Sequence, residues 1–325
     1  MYSWNDIKIS VTGDNTQFID GIKKYINAVY VHDYEGKCDI KVTVCNMVKG
    51  RITDIPDNAR KVKSLVFNMN FEFRLDILSH GTQIWFLYRD IAEIWIDYQK
   101  NEMNVCTTGM PLDFEYYNTL LFFLHPLGSL IENFGHFRLH SSCISINGQS
   151  LLITGKSGSG KSTSAFTVPT HGGQIISDDL TFVLKDETGY HPSSLSSLVK
   201  LRDNSINMFF PELNRLHEAA HFEDETYFFL ADINKIKYET HTLNCIAILE
   251  KTGNLKSAFK PVHPSEIVPE LFPSTIHTNI EENTGRKFVF ITDMLNDLKS
   301  YKMSFGTDMT VFYDQLQKLL DEVSK

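Results

Sequence analysis

Cys143-Ile-Ser-Ile-Asn147-Gly148-Gln-Ser-Leu151-Leu-Ile-Thr-Gly155-Lys-Ser-Gly-Ser-Gly-Lys161-Ser162 decides the fold. Two apolar runs, Cys143–Ile146 and Leu151–Ile153, flank Asn147-Gly148. Asn-Gly between such runs is a strong signal for a two-residue hairpin turn, whose central residues both need positive φ. The second run therefore pairs antiparallel with the first and leads into a glycine-rich turn. A helix is expected over Lys161–Val168, truncated or kinked by Pro169. Common glycine-loop proteins set the leading strand in a parallel sheet with right-handed crossovers. The hairpin here predicts a different class, with a mixed sheet.

Gly155 through Ser162 matches G-x-x-x-x-G-K-[ST]. Glycines at these positions let the backbone curl into a nest of N–H groups around phosphate oxygens. Lys161 supplies a point charge between β- and γ-phosphates, and Ser162 a hydroxyl for Mg²⁺. The following helix points its N-terminus at the same anion. The expected nucleotide-binding set is Gly155, Ser157, Gly158, Ser159, Gly160, Lys161, Ser162 and Thr163, with ATP and Mg²⁺ as cofactors. A chance Gly/Ser turn is the alternative. The strand before and the helix after favour the nucleotide.

Gly172-Gly173 then turns the chain, and a short apolar strand ends in Asp178-Asp179. Phosphoryl transfer uses one carboxylate to hold Mg²⁺ and another to take the acceptor's hydroxyl proton. Adjacent residues at a strand end point in different directions and can divide those jobs. Alone, the pair would read as a polar turn before Leu180–Leu184. His140, at the start of the hairpin's first strand, would alone read as a structural histidine. The order histidine, hairpin, glycine loop, short helix, acidic pair is what draws them together.

Around this core, the 325 residues suggest about two domains. The first hundred read as strands at Ile7–Val11, Ile40–Val44, Phe71–Ile77, Ile84–Tyr88 and Ile91–Tyr98, with one helix near Gln17–Ala28. Pro111–Phe134 reads as a largely apolar helix perturbed at Pro126, and its longest apolar stretch, Thr119–Ile131, is too short to span a bilayer. A strand at Cys245–Leu249, a helix from Ser265, a strand at Tyr301–Phe305 and a helix from about Asp308 complete the chain. The expectation is an α/β protein: a β-rich α+β domain over 1–110, then the loop-bearing domain over 111–325. The position of the first domain suggests substrate recognition. Net charge is −9, which disfavours a broad nucleic-acid surface. Five cysteines without CxxC spacing predict reduced thiols. With no signal peptide at the start, a cytoplasmic protein without membrane contact is expected. Homo-oligomer formation is left open.

Phe137-Arg-Leu-His140-Ser-Ser-Cys143, then Gly148 through Ser162, then Ser177-Asp178-Asp179, resembles the catalytic core of the HPr kinase/phosphorylase family. That family belongs with the phosphoenolpyruvate-carboxykinase-like P-loop proteins. The resemblance is strongest over Phe137–Val183. It is closest to the HPr-kinase-like proteins with a divergent N-terminal domain, some of which phosphorylate a serine on precursors of ribosomal peptides, including lasso peptides. A weaker likeness continues in Pro264-Ser-Glu-Ile267 and Met303-Ser-Phe-Gly-Thr-Asp308. The resemblance implies that His140 lies beside the transferred phosphoryl group, that Lys161 binds β/γ-phosphates and that Ser162 binds Mg²⁺. It implies that one of Asp178 and Asp179 is the base for the acceptor hydroxyl and the other a metal ligand; Asp178 is assigned here as the base and Asp179 as the ligand. The family's Arg-Gly-x-Gly segment after the acidic pair is missing, which sets HPr as substrate and phosphorylase activity aside. Arg202 or Lys200 is a candidate clamp for the γ-phosphate, against exposed surface charge as the alternative.

His217-Glu218-Ala-Ala-His221 is H-E-x-x-H, which on a helix binds zinc. No third ligand stands out, so a structural helix is the expected reading. The leading expectation for function is an ATP- and Mg²⁺-dependent kinase acting on a serine hydroxyl of a peptide or protein. A small-molecule hydroxyl kinase and a nucleotide-gated regulatory module are the alternatives. A transporter motor is disfavoured, because Gly172-Gly-Gln174 lies too close to the loop and no later apolar strand ends in Asp-Glu.

Overall fold

The computed structural model describes residues 1–31, 36–47, 55–68, 72–108, 115–234, 241–251, 256–275, 281–306 and 308–323. It forms two compact units: Met1–Phe134 with Thr278–Asn283, and Gly135–His277 with Thr284–Lys325. The division falls after Phe134, not at 110/111 as the sequence suggests. The helical stretch from Glu115 to Phe134 goes with the first unit because its side chains are fastened there. Tyr25 donates to Glu115 at 2.9 Å, Tyr98 donates to Ser129 at 2.9 Å, and the Tyr88 and Phe122 rings meet edge to face at 4.9 Å. The expected start of this helix, Pro111, lies outside the described residues. Pro126 does perturb it: residues Leu120–Leu124 form a π-helical turn in which His125 N–H bonds Leu120 C=O. A proline ring collides with the carbonyl four residues back, and a wider turn makes room for it.

Among the described residues of the first unit, nine strands make one sheet. Alternation places Ile7, Ile9, Ile40, Val42, Val44, Ile94 and Ile96 in its core. The helix Thr16–Tyr25 lays Phe18, Ile22 and Tyr25 inward and is capped by Asn15, whose side chain accepts from Phe18 N–H. Cys45 and Cys106 sit opposite each other on neighbouring parallel strands and are joined as a disulfide, which corrects the expectation of five reduced thiols. Register brings their Cα atoms to 4.7 Å, within bridging range. No sequence spacing announces that pairing.

The second unit is built on a six-stranded mixed sheet. Its order is Gln174–Ser177, Ser142–Ile146, Gln149–Thr154, Thr242–Lys251, Lys299–Phe305, Ala258–Pro261. Asn147 and Gly148 have φ of 53° and 81°, so the expected hairpin turn is present and pairs Ser142–Ile146 antiparallel with Gln149–Thr154. The other edge of Gln149–Thr154 pairs parallel with Thr242–Lys251, which makes the sheet mixed. Both faces of this sheet are covered at its centre, which is why Ser142–Ile146, Gln149–Thr154 and Thr242–Lys251 carry side chains of both cores. Ile144, Ile146, Leu151, Ile153 and Ala247 face one core, closed by Phe166, Phe312, Leu316 and Leu320. Cys143, Leu152, Leu243 and Ile246 face the other, closed by Ile291, Met294 and Leu295.

Two local readings are corrected. His140 does not open the hairpin strand. It ends a separate strand, Phe137–His140, which pairs antiparallel with Leu180–Asp186 in another sheet. The H-E-x-x-H stretch is not helical: His217 and Glu218 lie in irregular backbone, and Ala220–Phe222 is a strand paired with Glu225–Phe229. Glu223, at φ 54°, turns the chain between them. Among the described residues, no group of three or more His, Cys, Asp or Glu side chains is gathered to hold a metal ion. No helix among the described residues is long and apolar enough to cross a membrane.

Gly173 packs where the helix after the loop returns to the sheet. A Cβ there would overlap Val168 and lie 2.7 Å from the Ser145 carbonyl oxygen. Gly173→Ala is expected to cost about 1–3 kcal/mol, the range for overpacking a filled interior. Urea unfolding should show a lower midpoint with an unchanged slope.

Candidate functional site

The strand Gln149–Thr154 delivers the chain into a turn over 155–160, and the helix Lys161–Phe166 carries it away. Gly155, at φ 144°, lies so close to the neighbouring strand that a Cβ would stand 2.9 Å from Leu249 carbonyl oxygen. Gly158 and Gly160 take φ of 75° and 104°, values that suit glycine. The helix is short, as expected: Pro169 opens a 3₁₀ turn and Gly172, at φ 94°, ends it. Lys161 donates to the carbonyls of Gly155 at 2.7 Å and Lys156 at 3.2 Å, so its ammonium sits inside the curl of the turn.

Asp178 lies just past the end of the strand Gln174–Ser177 and is buried. Its Oδ1 accepts from Ser142 at 2.6 Å and from Ser162 at 3.0 Å. Its Oδ2 is buried with no hydrogen-bond partner among the described residues. Burial is the largest cause raising the Asp178 carboxyl above the usual range. The charge of Asp179 adds to it, and the two serine hydroxyls oppose it. A buried acceptor with one satisfied oxygen and one bare oxygen is suited to a cation. Mg²⁺ is commonly held by one or two carboxylates together with phosphates, so Asp178 and Ser162 fit that ion.

Asp179 differs in every respect. It is half exposed, takes φ 68°, and its two oxygens face two different bases. His140 Nδ1 is 3.4 Å from Oδ1 and Lys200 Nζ is 3.7 Å from Oδ2. Burial lowers the His140 pKa, with Asp179 pulling it back up. Burial likewise lowers that of Lys161, opposed by Asp179, Asp178 and Glu270.

A cleft of about 400 Å³ brings these groups together. His140, Ser157, Gly158, Ser159, Gly160, Lys161, Ser162, Thr163, Asp178, Asp179 and Arg202 all line it. Gly155 does not line it; it sets the turn from behind. Arg202 is at the rim, largely exposed and 3.8 Å from Asp224. Ser142 and Tyr227 were missed in the sequence, as was the place of Glu225 at this cleft. Ser142 stands two residues after His140 and reaches Asp178 only through the pairing of its strand with Gln174–Ser177. Glu225 and Tyr227 arrive on the strand paired with Leu198–Arg202.

No family model matches the chain, and no curated protein matches it. Among solved structures, the HPr(Ser) kinase/phosphatase from Coxiella burnetii aligns over 58% of this chain and 99% of its own, at 9% identity and a TM-score of 0.28. At that identity and score, the alignment transfers neither fold nor function.

The buried Asp178 gives a test that needs no ligand. A carboxyl whose folded pKa is raised favours the native state while protonated. That advantage is lost as pH rises from the unfolded pKa through the folded one. At neutral pH the buried charge is therefore a cost, and Asp178→Asn is expected to stabilise the ligand-free protein by about 1 kcal/mol or more. Thermal unfolding should show the gain at pH 7 and see it shrink as pH falls through the carboxylate range.

Proposed function

We propose that the second unit is an ATP- and Mg²⁺-dependent phosphotransferase that passes the γ-phosphoryl group to a hydroxyl, read here as a serine of a peptide or protein. The observation that carries this is the convergence on one cleft of the glycine turn with Lys161, the Ser162–Asp178 pair, and Asp179 beside His140. Phosphoryl transfer asks a protein for little covalent chemistry. It asks for positioning and for charge where charge develops.

The proposed roles follow from the environments. The amides of the turn and the Lys161 ammonium hold the β- and γ-phosphates. Ser162 and Asp178 hold Mg²⁺, which, when bound, neutralises charge on the phosphate oxygens. Asp179 accepts the proton of the acceptor hydroxyl. The hydroxyl oxygen bonds to the γ-phosphorus, the bond from phosphorus to the bridging oxygen breaks, and ADP leaves with that oxygen. His140 lies beside Asp179, where it orients the carboxylate. This exchanges the roles assigned to the two aspartates from the sequence. The reason is access: Asp178 is buried and already bonded to the serine that faces the metal, while Asp179 opens to the cleft. A serine acceptor is favoured by the resemblance alone. The cleft chemistry supports a hydroxyl acceptor more broadly.

The two aspartates should separate in one experiment. The full chain is incubated with labelled ATP, Mg²⁺ and serine-bearing peptides, and transfer is followed beside nucleotide affinity. Asp179→Asn is expected to lower transfer about 10²–10⁴-fold with nucleotide affinity largely kept. Asp178→Asn is expected to lose the strengthening of nucleotide binding by Mg²⁺. Tight nucleotide binding by the unaltered chain, with no transfer to any hydroxyl, would defeat the proposal.

A further inference from the structure

Lys200, a candidate phosphate clamp in the sequence, has no part in the transfer roles just proposed, yet it stands in the same cleft as the acidic pair. It lies on the strand Leu198–Arg202, which pairs antiparallel with Glu225–Phe229, with Lys200 opposite Tyr227 and Arg202 opposite Glu225. The two strands place a small polar relay behind Asp179. Tyr227 Oη donates to Glu225 Oε2 at 3.0 Å, and Lys200 Nζ donates to the same oxygen at 3.0 Å. The ammonium is then 3.7 Å from Asp179 Oδ2, a charge contact rather than a hydrogen bond. Tyr227 is buried and Glu225 mostly so, and the lysine is itself only 28% exposed. A long side chain tied at one end in this way loses the freedom that makes exposed ion pairs weak.

Resting on the phosphotransferase reading above, we infer that Lys200 is a positioning residue that holds Asp179 as the acceptor's base. The two carboxylate oxygens are approached from two sides, Oδ1 by His140 and Oδ2 by Lys200, which fixes the plane of the group. The backbone of Asp179 is left-handed, with φ of 68°. The other charges facing Asp179 are Asp178 next to it and Lys161 from the loop helix, with Glu225 behind Lys200; Glu270, on the helix Val268–Thr275, acts on Lys161. Glu225 has a specific use in this arrangement. When Asp179 takes the hydroxyl proton and loses its charge, Lys200 keeps a carboxylate partner, so the transfer leaves no unpaired buried cation.

A clamp on the terminal phosphate is the competing role for Lys200, and the two roles move different quantities. Lys200→Met, Lys200→Arg and Glu225→Gln are compared with the unaltered full chain. In the nucleotide-free protein, NMR titration of the His140 ring is expected to move to higher pH in Lys200→Met, because the imidazolium beside Asp179 is then no longer opposed by the lysine's positive charge on the other carboxylate oxygen. Lys200→Arg should stay near the unaltered titration. In the transfer assay, Lys200→Met should lower kcat about 10²-fold. Its Mg·ATP and Mg·ADP affinities should each stay within about threefold, and Lys200→Arg should recover most of the loss. Glu225→Gln should lower kcat about tenfold by loosening the lysine. An unchanged His140 titration, or an unchanged kcat, in Lys200→Met would overturn the inference. So would a tenfold loss of Mg·ATP affinity with Mg·ADP unaffected, which would make Lys200 the phosphate clamp. If the His140 shift appears while the unaltered chain transfers nothing, the failure lies with the phosphotransferase reading and not with the Lys200–Asp179 contact.

Discussion

Ser142 and Ser162 both donate to Oδ1 of Asp178, at 2.6 and 3.0 Å, and that shared acceptor ties three separate stretches of backbone to one point. The stretches are the first strand of the hairpin, the first turn of the loop helix, and the end of the edge strand Gln174–Ser177. A buried carboxylate is unfavourable unless its environment is built for it. Here the environment is built on one oxygen only. Oδ1 carries two serine hydroxyls while Oδ2 is buried and bare among the described residues. The neighbouring Asp179 is released to do something else. Two adjacent aspartates thus have unlike surroundings, and unlike surroundings are how one residue type takes two roles.

The sheet makes this possible by carrying the loop on a strand that is antiparallel on one side and parallel on the other. The hairpin side brings Ser142 and, beyond it, Asp178. The parallel side brings Leu249, whose carbonyl approaches Gly155 so closely that only glycine fits. The turn is pinned by main chain on one flank and by a carboxylate on the other. With side chains packed on both faces of the sheet, neither flank can shift without disturbing a core.

Much of this was legible in the residues. Asn147-Gly148 announced its turn because few residue pairs tolerate positive φ twice in succession, and the apolar run after it read as the strand that leads into the glycine turn. The structure has a turn over 155–160, a short helix followed by a 3₁₀ turn at Pro169, and the acidic pair just past a strand end. What could not be read was whatever depends on register between distant strands. Glu225 reaches Lys200, and Cys45 reaches Cys106, only through pairings that no local pattern encodes. The break at Ser141 was missed as well, because it is the partner strand that changes there: Phe137–His140 pairs with Leu180–Asp186, and Ser142–Ile146 with Gln149–Thr154. The helix expected at His217–His221 failed for the opposite reason. Its spacing suits a helix, but a turn at Glu223 folds Ala220–Phe222 back onto Glu225–Phe229. The environments of Asp178 and Asp179 were equally invisible, since burial is a property of the assembled sheet.

The mixed pairing of the loop strand also bears on how the chain comes together during synthesis. Phe137–His140, Ser142–Ile146, Gln149–Thr154, Gln174–Ser177 and Leu180–Asp186 are close in sequence and pair among themselves, so their loop-closure costs are small. The turn, its lysine and the acidic pair therefore come within reach of each other while the rest of the chain is still emerging. The parallel edge of Gln149–Thr154 has to wait for Thr242–Lys251, much later in the chain. Until that strand arrives, a row of unpaired amides and carbonyls flanked by Leu151, Leu152 and Ile153 stands open to any other extended chain, which is the geometry of edge-to-edge aggregation. The antiparallel half of the sheet gives this nascent chain early order, and the parallel half is where it stays vulnerable until its last strands are made.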